Sequence, residues 1–479
     1  MSTIARPALA VKPAPAHHWT PWLILATDVV ALEIAFALGL AARWMLRPWF
    51  TASIGLLQSC EVAVAILLLP AVHYQLGLYP GYLLGPVEKL RRRTLATLAV
   101  FGGLVAWDLI VARGVVSRGV LLSTLLFALV LPPVGESVIR RALVRRARWG
   151  IPVVILGAGD TGRLLARMLA EDPQLGLYPV AFLDNRPDAW HSSVEGISVA
   201  GPLALARDFE SRAEAAILVL ADLRKEDAAG LLQELNFPRV IVIPDMAGIA
   251  SLWVTARDLG GCLGLEIKKN LLVARNHALK RWMDQFVAFP LFLASLPIIA
   301  IAALCIKLAG RGPVFYRQIR EGVKGRRILV WKLRTMHCDA DRLLEQWFET
   351  HPEDRLHWKR HFKLRHDPRV LPGIGRLLRR TSLDELPQLW SVLKGEMSLV
   401  GPRPFPDYHL DQFTPEFRTL RARVQPGLTG LWQVTARSNG DVVLQQALDT
   451  YYIRNWSPWL DLYILARTVA AVLLARGAY

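Results

Sequence analysis

The sequence predicts three parts: an α-helical membrane bundle of four spans, a cytoplasmic α/β Rossmann-like domain, and a re-entrant membrane helix leading into a mainly helical final domain. Three observations carry this expectation. The 479 residues are 53% hydrophobic yet bear a net charge of +17, with a mean hydropathy of +0.30, a combination that soluble globular chains rarely show. The apolar excess is concentrated in runs of membrane-spanning length. Between them, short β-branched runs alternate with amphipathic helical stretches, the pattern of a parallel sheet with crossover helices. No nucleic-acid recognition motif accompanies the basic charge, so an anionic membrane surface and phosphorylated substrates are the expected partners, and nucleic acid is not.

Residues 1–18, rich in Pro and Ala, read as a disordered tail. A four-helix transmembrane region is expected over 19–140, with apolar runs near 20–42, 55–78, 94–112 and 119–138. No small-residue cleavage site follows the first run, which reads as an anchor and not as a removed signal peptide. Lys89 and Arg91 to Arg93 follow the second run, and Arg140, Arg141, Arg145, Arg146 and Arg148 follow the fourth. The positive-inside rule therefore places both basic stretches, and everything after residue 140, on the cytoplasmic side of a multi-pass membrane protein. Asp28, Glu33 and Asp108 lie within or near these runs. Pairing inside the bundle or placement near an interface is the preferred reading, and a functional path across the membrane is the other. None of the four cysteines forms a Cys-x-x-Cys pair, so neither a zinc site nor a disulfide framework is indicated.

Residues 150–265 read as the Rossmann-like domain, with strands at Val153–Leu156, Ile217–Leu220 and Val240–Ile243. Gly157, Gly159 and Gly162 follow the first strand and open a helix, as a dinucleotide fingerprint does. Asp184 falls near the ribose-binding position. A sheet domain that regulates or dimerises, making a homo-oligomer, is preferred to one that binds a cofactor. A fifth apolar run, set at 284–307, is basic on both flanks. A helix that enters and turns back satisfies the charge rule, whereas a straight crossing does not. Pro297 would bend it by removing a helical hydrogen bond, and Ser295 could cap a freed carbonyl. Near the end, Trp456, Trp459, Leu460, Leu462, Ile464 and Leu465 suggest an interfacial helix.

The strongest constellation runs from Arg379 to Gln388 and contains Ser382, Asp384 and Glu385. The Ser-x-x-Glu spacing suggests a capping box, with both acids at a helix start whose dipole keeps them ionised. An ionised Asp384 can attack phosphorus, Glu385 can hold Mg2+ on a diphosphate, and the two preceding arginines can grip phosphate. Alternatively, Glu385 only caps the helix and Asp384 is a solvated charge. Gly401-Pro402-Arg403-Pro404 fixes a turn that can aim Arg403 at an anion. Asp449 reads equally well as an aid to metal or nucleotide and as a helix-surface acid. His337, Cys338, Asp339 and Asp341 read as a solvated helix start, and the histidines show no metal-binding spacing.

Together with Gly312–Gln318, Lys332–Met336, Leu393–Pro404 and Pro426–Val434, this constellation resembles the bacterial sugar transferases, the polyprenyl-phosphate hexose-1-phosphate transferases. The likeness covers about Lys280 to Tyr479, setting a catalytic domain at 275–479, and extends to Trp358, Phe362–Arg365, Asp367–Arg369 and Gly477–Tyr479. It implies that Asp384 is a nucleophile carrying a phosphosugar, that Glu385 binds Mg2+, and that Arg379 and Arg403 clamp the lipid phosphate. It also implies a bend at Pro297, with Lys280, Arg281 and Asp284 at the entrance of that helix. The substrates implied are a UDP-hexose and undecaprenyl phosphate, the hexose being galactose first and glucose second. Two departures are visible: Leu296 stands where the family commonly has Ser, and Ala436 where it commonly has Gly. A membrane-anchored nucleotide-sugar dehydratase is disfavoured because no Tyr-x-x-x-Lys pair occurs. A non-catalytic scaffold for polysaccharide export is the remaining rival.

Overall fold

The computed structural model describes residues 19–49, 62–111, 117–222, 231, 235–244, 254–258, 263–267, 271, 274–361, 364, 367–435 and 442–473. The expected tail 1–18, Phe362, Lys363, Arg365, Ala436 and the terminal Gly477–Tyr479 lie outside these residues. The chain divides into two compact units, 1–249 and 250–479.

In the first unit, helices Thr20–Met45 and Pro86–Ile110 and the helical stretch Arg118–Arg145 are long and apolar enough to cross a membrane. The expected second span begins outside the described residues, and its described part is the shorter apolar helix Val62–Gln75. The basic loop expected around Lys89 is helical instead. Gly85 is extended and Pro86 occupies the first turn, so the helix starts before the charges. Lys89 and Arg93 are consequently buried. Arg93 donates to Asp28 at 2.7 Å and lies 2.7 Å from Glu136, which also pairs with Arg140. Tyr79 donates its hydroxyl to Asp28 at 2.6 Å. Asp28 is thus paired inside the bundle, as a charge removed from water must be. Asp108 is buried and Glu33 half-buried.

Six strands follow: β1 (Ile151–Leu156), β2 (Leu177–Leu183), β3 (Ser193–Val194), β4 (Ile197–Gly201), β5 (Ala215–Val219) and β6 (Arg239–Ile243). Their order is β3-β4-β2-β1-β5-β6, parallel except for β3 against β4. Every residue of the central β1 is buried, which is why the strand reads as a continuous apolar run.

The second unit includes the antiparallel pair β7 (Val254–Asp258) and β8 (Leu263–Ile267). Helix Ala274–Ala309 then runs for 36 residues through Pro290 and Pro297. Pro297 does not end it. The Ser295 hydroxyl donates to the Phe292 carbonyl at 2.7 Å, whereas the carbonyl deprived of a donor by Pro297 is that of Leu293. Near the start of the helix, Lys280 contacts Asp284 and Asp461, and Asp284 accepts from Ser398. Near its end, Ala302 and Ile306 pack with Leu333 and Leu378. Both ends therefore dock on the same domain, while Phe286, Phe289, Ile301 and Leu304 are exposed.

Two strands, β9 (Phe315–Glu321) and β10 (Arg327–Leu333), form an antiparallel hairpin. Short helices and the small parallel pair β11 (Ser398–Val400) and β12 (Gly427–Thr429) complete the domain with helices Val442–Asn455 and Pro458–Leu473. The stripe expected to face the membrane is divided: Trp456, Leu460 and Ile464 are buried in the core, Trp459 and Leu465 are half-buried, and Leu462 is exposed.

Candidate active site

Helix Ile374–Thr381 carries Arg376, Arg379 and Arg380 and stops at Ser382, whose backbone is left-handed (φ 56°, ψ 19°). That conformation is unfavourable for a residue with a Cβ and reverses the chain abruptly. A 3-10 turn, Leu383–Glu385, follows and leads into helix Gln388–Lys394. The expected capping box is absent, because Ser382 closes one helix and makes no side-chain cap to the next turn. Glu385 is thereby released from capping. Its Oε1 accepts from Lys332 at 2.6 Å and from Arg403 at 3.0 Å.

These partners come from distant elements. In the hairpin, Lys332 pairs with Tyr316 and Val330 with Gln318, while Ile328 pairs with Arg320. Alternation therefore puts Arg320, Val330 and Lys332 on one face. Arg403 follows β11, and its backbone carbonyl is gripped by the buried Arg421. A small cleft is lined by Arg320, Val330, Lys332, Glu385, Gln388 and Arg403, with Pro404, Gly427 and Leu428 closing it. Asp384 is 9% exposed and adjoins Glu385 without itself lining the cleft.

The neighbouring acids are driven apart. Burial pushes Asp384 up to about 6, opposed by Lys332 and assisted by the negative charge of Glu385. Burial acts in the same direction on Glu385, but Lys332 and Arg403 overcome it and hold this carboxyl at about 2. The expectation that a helix dipole would depress both values is corrected for Asp384: with no cap and little water, desolvation dominates. Such a pair combines a permanently ionised carboxylate with one that titrates near neutrality.

Arg379 is placed differently from Arg403. Its Nε donates to Thr335 at 3.2 Å and its Nη1 lies 3.6 Å from Asp367. It is not among the residues lining the cleft, although its charge acts on Asp384. Asp367 is itself held by Arg369 through two bonds of 2.8 and 2.7 Å. Asp449 is no surface acid: it is buried 3.8 Å from Arg421, and burial pushes it up to about 7 against that arginine. It reaches the site only through Arg421 and the Arg403 carbonyl. His337, Cys338 and Asp339 do precede a helix, Ala340–Thr350, and Cys338 is exposed. The sequence motifs include Lys332 and Gln388 but assign no role to them or to Arg320. Strand alternation marks Lys332 and Arg320 as sharing a face, but only the tertiary pairing brings that face to Glu385.

The residues present fit a magnesium ion bound through one carboxylate. Lys332 and Arg403 both bond Oε1 of Glu385, so Oε2 is the oxygen that would meet the ion, whose other ligands would come from phosphate and water. Among the described residues, no group of three or more His, Cys, Asp or Glu could hold a metal ion unaided.

The glycine-rich turn after β1 does not fit the phosphates of a nucleotide cofactor. Gly157 has φ +113°, and the amide of Gly162 donates to the Asp222 carboxylate at 2.8 Å. A Cβ on Gly159 would collide with Asp222, and one on Gly162 with the Gly157 carbonyl. Gly157, by its backbone conformation, and Gly162, by its approach to the Gly157 carbonyl, are thus required by the protein's own packing, while Gly159 gives room to the Asp222 carboxylate. Asp184 accepts from the Ala158 amide at 2.8 Å and binds Arg186 through both oxygens. A pyrophosphate at the Gly162 amide would meet the Asp222 carboxylate.

Residues 275–475 match the family described as bacterial sugar transferase, and residues 74–221 match the CoA-binding domain family. A UDP-galactose-lipid carrier transferase of Erwinia amylovora is 30% identical over 371 residues, 76% of each chain. An undecaprenyl-phosphate galactose phosphotransferase of Salmonella typhimurium is 30% identical over 395 residues, 81% of each. A UDP-glucose:undecaprenyl-phosphate glucose-1-phosphate transferase of Escherichia coli is 35% identical over 248 residues, 50% of each. With an acidic pair held between Lys332 and Arg403 in the matched region, and with relatives of this kind over three quarters of its length, the chain belongs to the bacterial sugar transferase family.

Proposed function

We propose that this protein transfers hexose-1-phosphate from a UDP-hexose to undecaprenyl phosphate and releases UMP, as the first membrane step of O-antigen, capsule or exopolysaccharide synthesis. Galactose is the first choice and glucose the second, in keeping with the named activities of the relatives. The observation that carries the reading is the Asp384–Glu385 pair, with two cations converging on Glu385 at an open cleft.

An oxygen of ionised Asp384 attacks the β-phosphorus of the donor. The new bond is Asp384 O–P, the bond broken is that between the β-phosphorus and the bridging oxygen, and UMP leaves with the electron pair. The carrier's phosphate oxygen then attacks the same phosphorus, and the Asp384 carboxylate departs unchanged. Two steps keep the anionic donor and acceptor from meeting directly. Lys332 and Arg403 hold Glu385 ionised and offer positive charge to the phosphates, and Arg379 adds charge near the nucleophile. Magnesium, held by Glu385, would supply charge neutralisation on the diphosphate.

The docking of both ends of helix Ala274–Ala309 on one domain supports a helix that enters the membrane and returns. The positive-inside rule then favours a catalytic domain at the cytoplasmic face of the inner membrane, beside the carrier's phosphate. Membranes bearing the protein, incubated with UDP-galactose labelled in the sugar and the β-phosphate, carrier lipid and Mg2+, are expected to yield UMP and doubly labelled lipid. No UMP and no labelled lipid from either UDP-galactose or UDP-glucose would reject the reading in favour of a scaffold.

A further inference from the structure

Gln388 is 3% exposed, and its side-chain Nε2 is buried without a hydrogen-bond partner. It is nevertheless one of the residues lining the cleft that contains Glu385, Lys332 and Arg403. A buried amide with nothing to donate to destabilises the fold, and among the described residues with such an atom Gln388 is the one that lines this cleft. The 3-10 turn Leu383–Glu385, Leu386 and Pro387 in right-handed helical conformation, and helix Gln388–Lys394 form nearly continuous helical backbone. Gln388 therefore stands four residues after Asp384 and three after Glu385, the spacings of near neighbours on a helix. It bonds to neither acid.

We propose that Gln388 is a substrate-binding residue, whose amide donates to a non-bridging oxygen on the phosphorus that Asp384 attacks. This rests on the transfer reading above. Lys332 and Arg403 already supply positive charge in the cleft. A neutral amide can hold an oxygen of the electrophile, and a donor fixed beforehand needs no reorganisation during reaction.

Gln388→Met keeps the length and much of the volume of the side chain but removes the donor. Purified full-length wild type and variant are compared for initial UMP release from UDP-galactose and UDP-glucose, for KM, and for thermal unfolding. The expected result is a fall in kcat of about 10²-fold, the usual effect of losing one donor to reacting oxygens, with KM little changed and Tm raised. Gln388→Glu, which adds negative charge beside both acids, should lose more activity than the Met variant. Equal kcat in wild type and Gln388→Met overturns the proposal, as does a loss of activity accompanied by a lower Tm, which would mean that the amide supports the fold. Wild-type protein that releases no UMP from either donor overturns the transfer reading and this inference with it, a different failure from a variant that works as well as wild type.

Discussion

The turn at Gly157–Gly162 and the turn at Ser382–Gln388 both feed a helix and both bring an acid close to groups that could bind an anion. They dispose of those groups in opposite ways. At the first, the amide of Gly162 is taken by Asp222, Asp184 is taken by Arg186 and the Ala158 amide, and the glycines give room for these contacts. At the second, Lys332 and Arg403 meet on one oxygen of Glu385 in an open cleft, Asp384 is buried at a cost, and Gln388 is left with its amide unused. A fold that fills its own anion site has used it for stability. A fold that keeps an unfavourable acid and an orphaned donor beside open cations carries local strain of the sort found at functional sites.

The largest expected effect that tests this contrast is that of Asp384→Asn. Loss of the nucleophile should reduce hexose-phosphate transfer by about 10³-fold or more, measured as trapped label on protein and as labelled lipid. The same change should stabilise the fold at neutral pH. Asp384 has a folded value of about 6 against an ordinary 3.8, so protonation favours the folded state, and the penalty of ionisation appears as pH rises through 6. The variant's gain in Tm should therefore be present at pH 7 and vanish below about pH 4. A variant that is both inactive and less stable at pH 7 would show that Asp384 belongs to the framework, as Asp222 does.

Lys332→Met should have the next effect. It removes the leading influence that lowers Asp384 and one of two cations on Glu385. Transfer should fall by about 10- to 10²-fold. The acidic limb of the pH–rate profile, set in the wild type by Asp384 near pH 6, should move upward because the nucleophile becomes harder to ionise. An unmoved limb would assign the titration to another group, and the contrast between the two turns would lose its electrostatic half.

Much of this was legible along the chain wherever the cause is local. The first and fourth apolar runs of the bundle and the buried strand β1 depend on neighbours in sequence, and they are found where periodicity puts them. The errors share one origin, long-range packing. Ser-x-x-Glu spacing marks a capping box only if the serine is extended, but Ser382 is left-handed because it terminates the preceding helix. Lys89 and Arg93 looked like loop charges until helix Pro86–Ile110 turned them toward Asp28 and Glu136. Trp456, Leu460 and Ile464 form an apolar stripe that can face either a membrane or a core, and the core took it. Lys332 reaches Glu385 from a strand 53 residues away, and no local rule anticipates that contact.

The smallest effect belongs to the filled turn. Asp222→Ala deprives the Gly162 amide of its partner, a loss of about 1–2 kcal/mol by the usual worth of a charge-assisted cap, so Tm should fall modestly. The rate of transfer should change by less than about twofold, since loss of a cap remote in sequence from the acidic pair leaves its chemistry intact. Calorimetric titration of the wild type with NAD or coenzyme A should give no binding heat, because each offers a pyrophosphate to an amide that a carboxylate already occupies. Micromolar binding of either by the wild type would mean that Asp222 yields to a ligand. The turn at Gly157 would then be a second working anion site, and its glycines would have to be explained by that ligand as well as by the packing they permit.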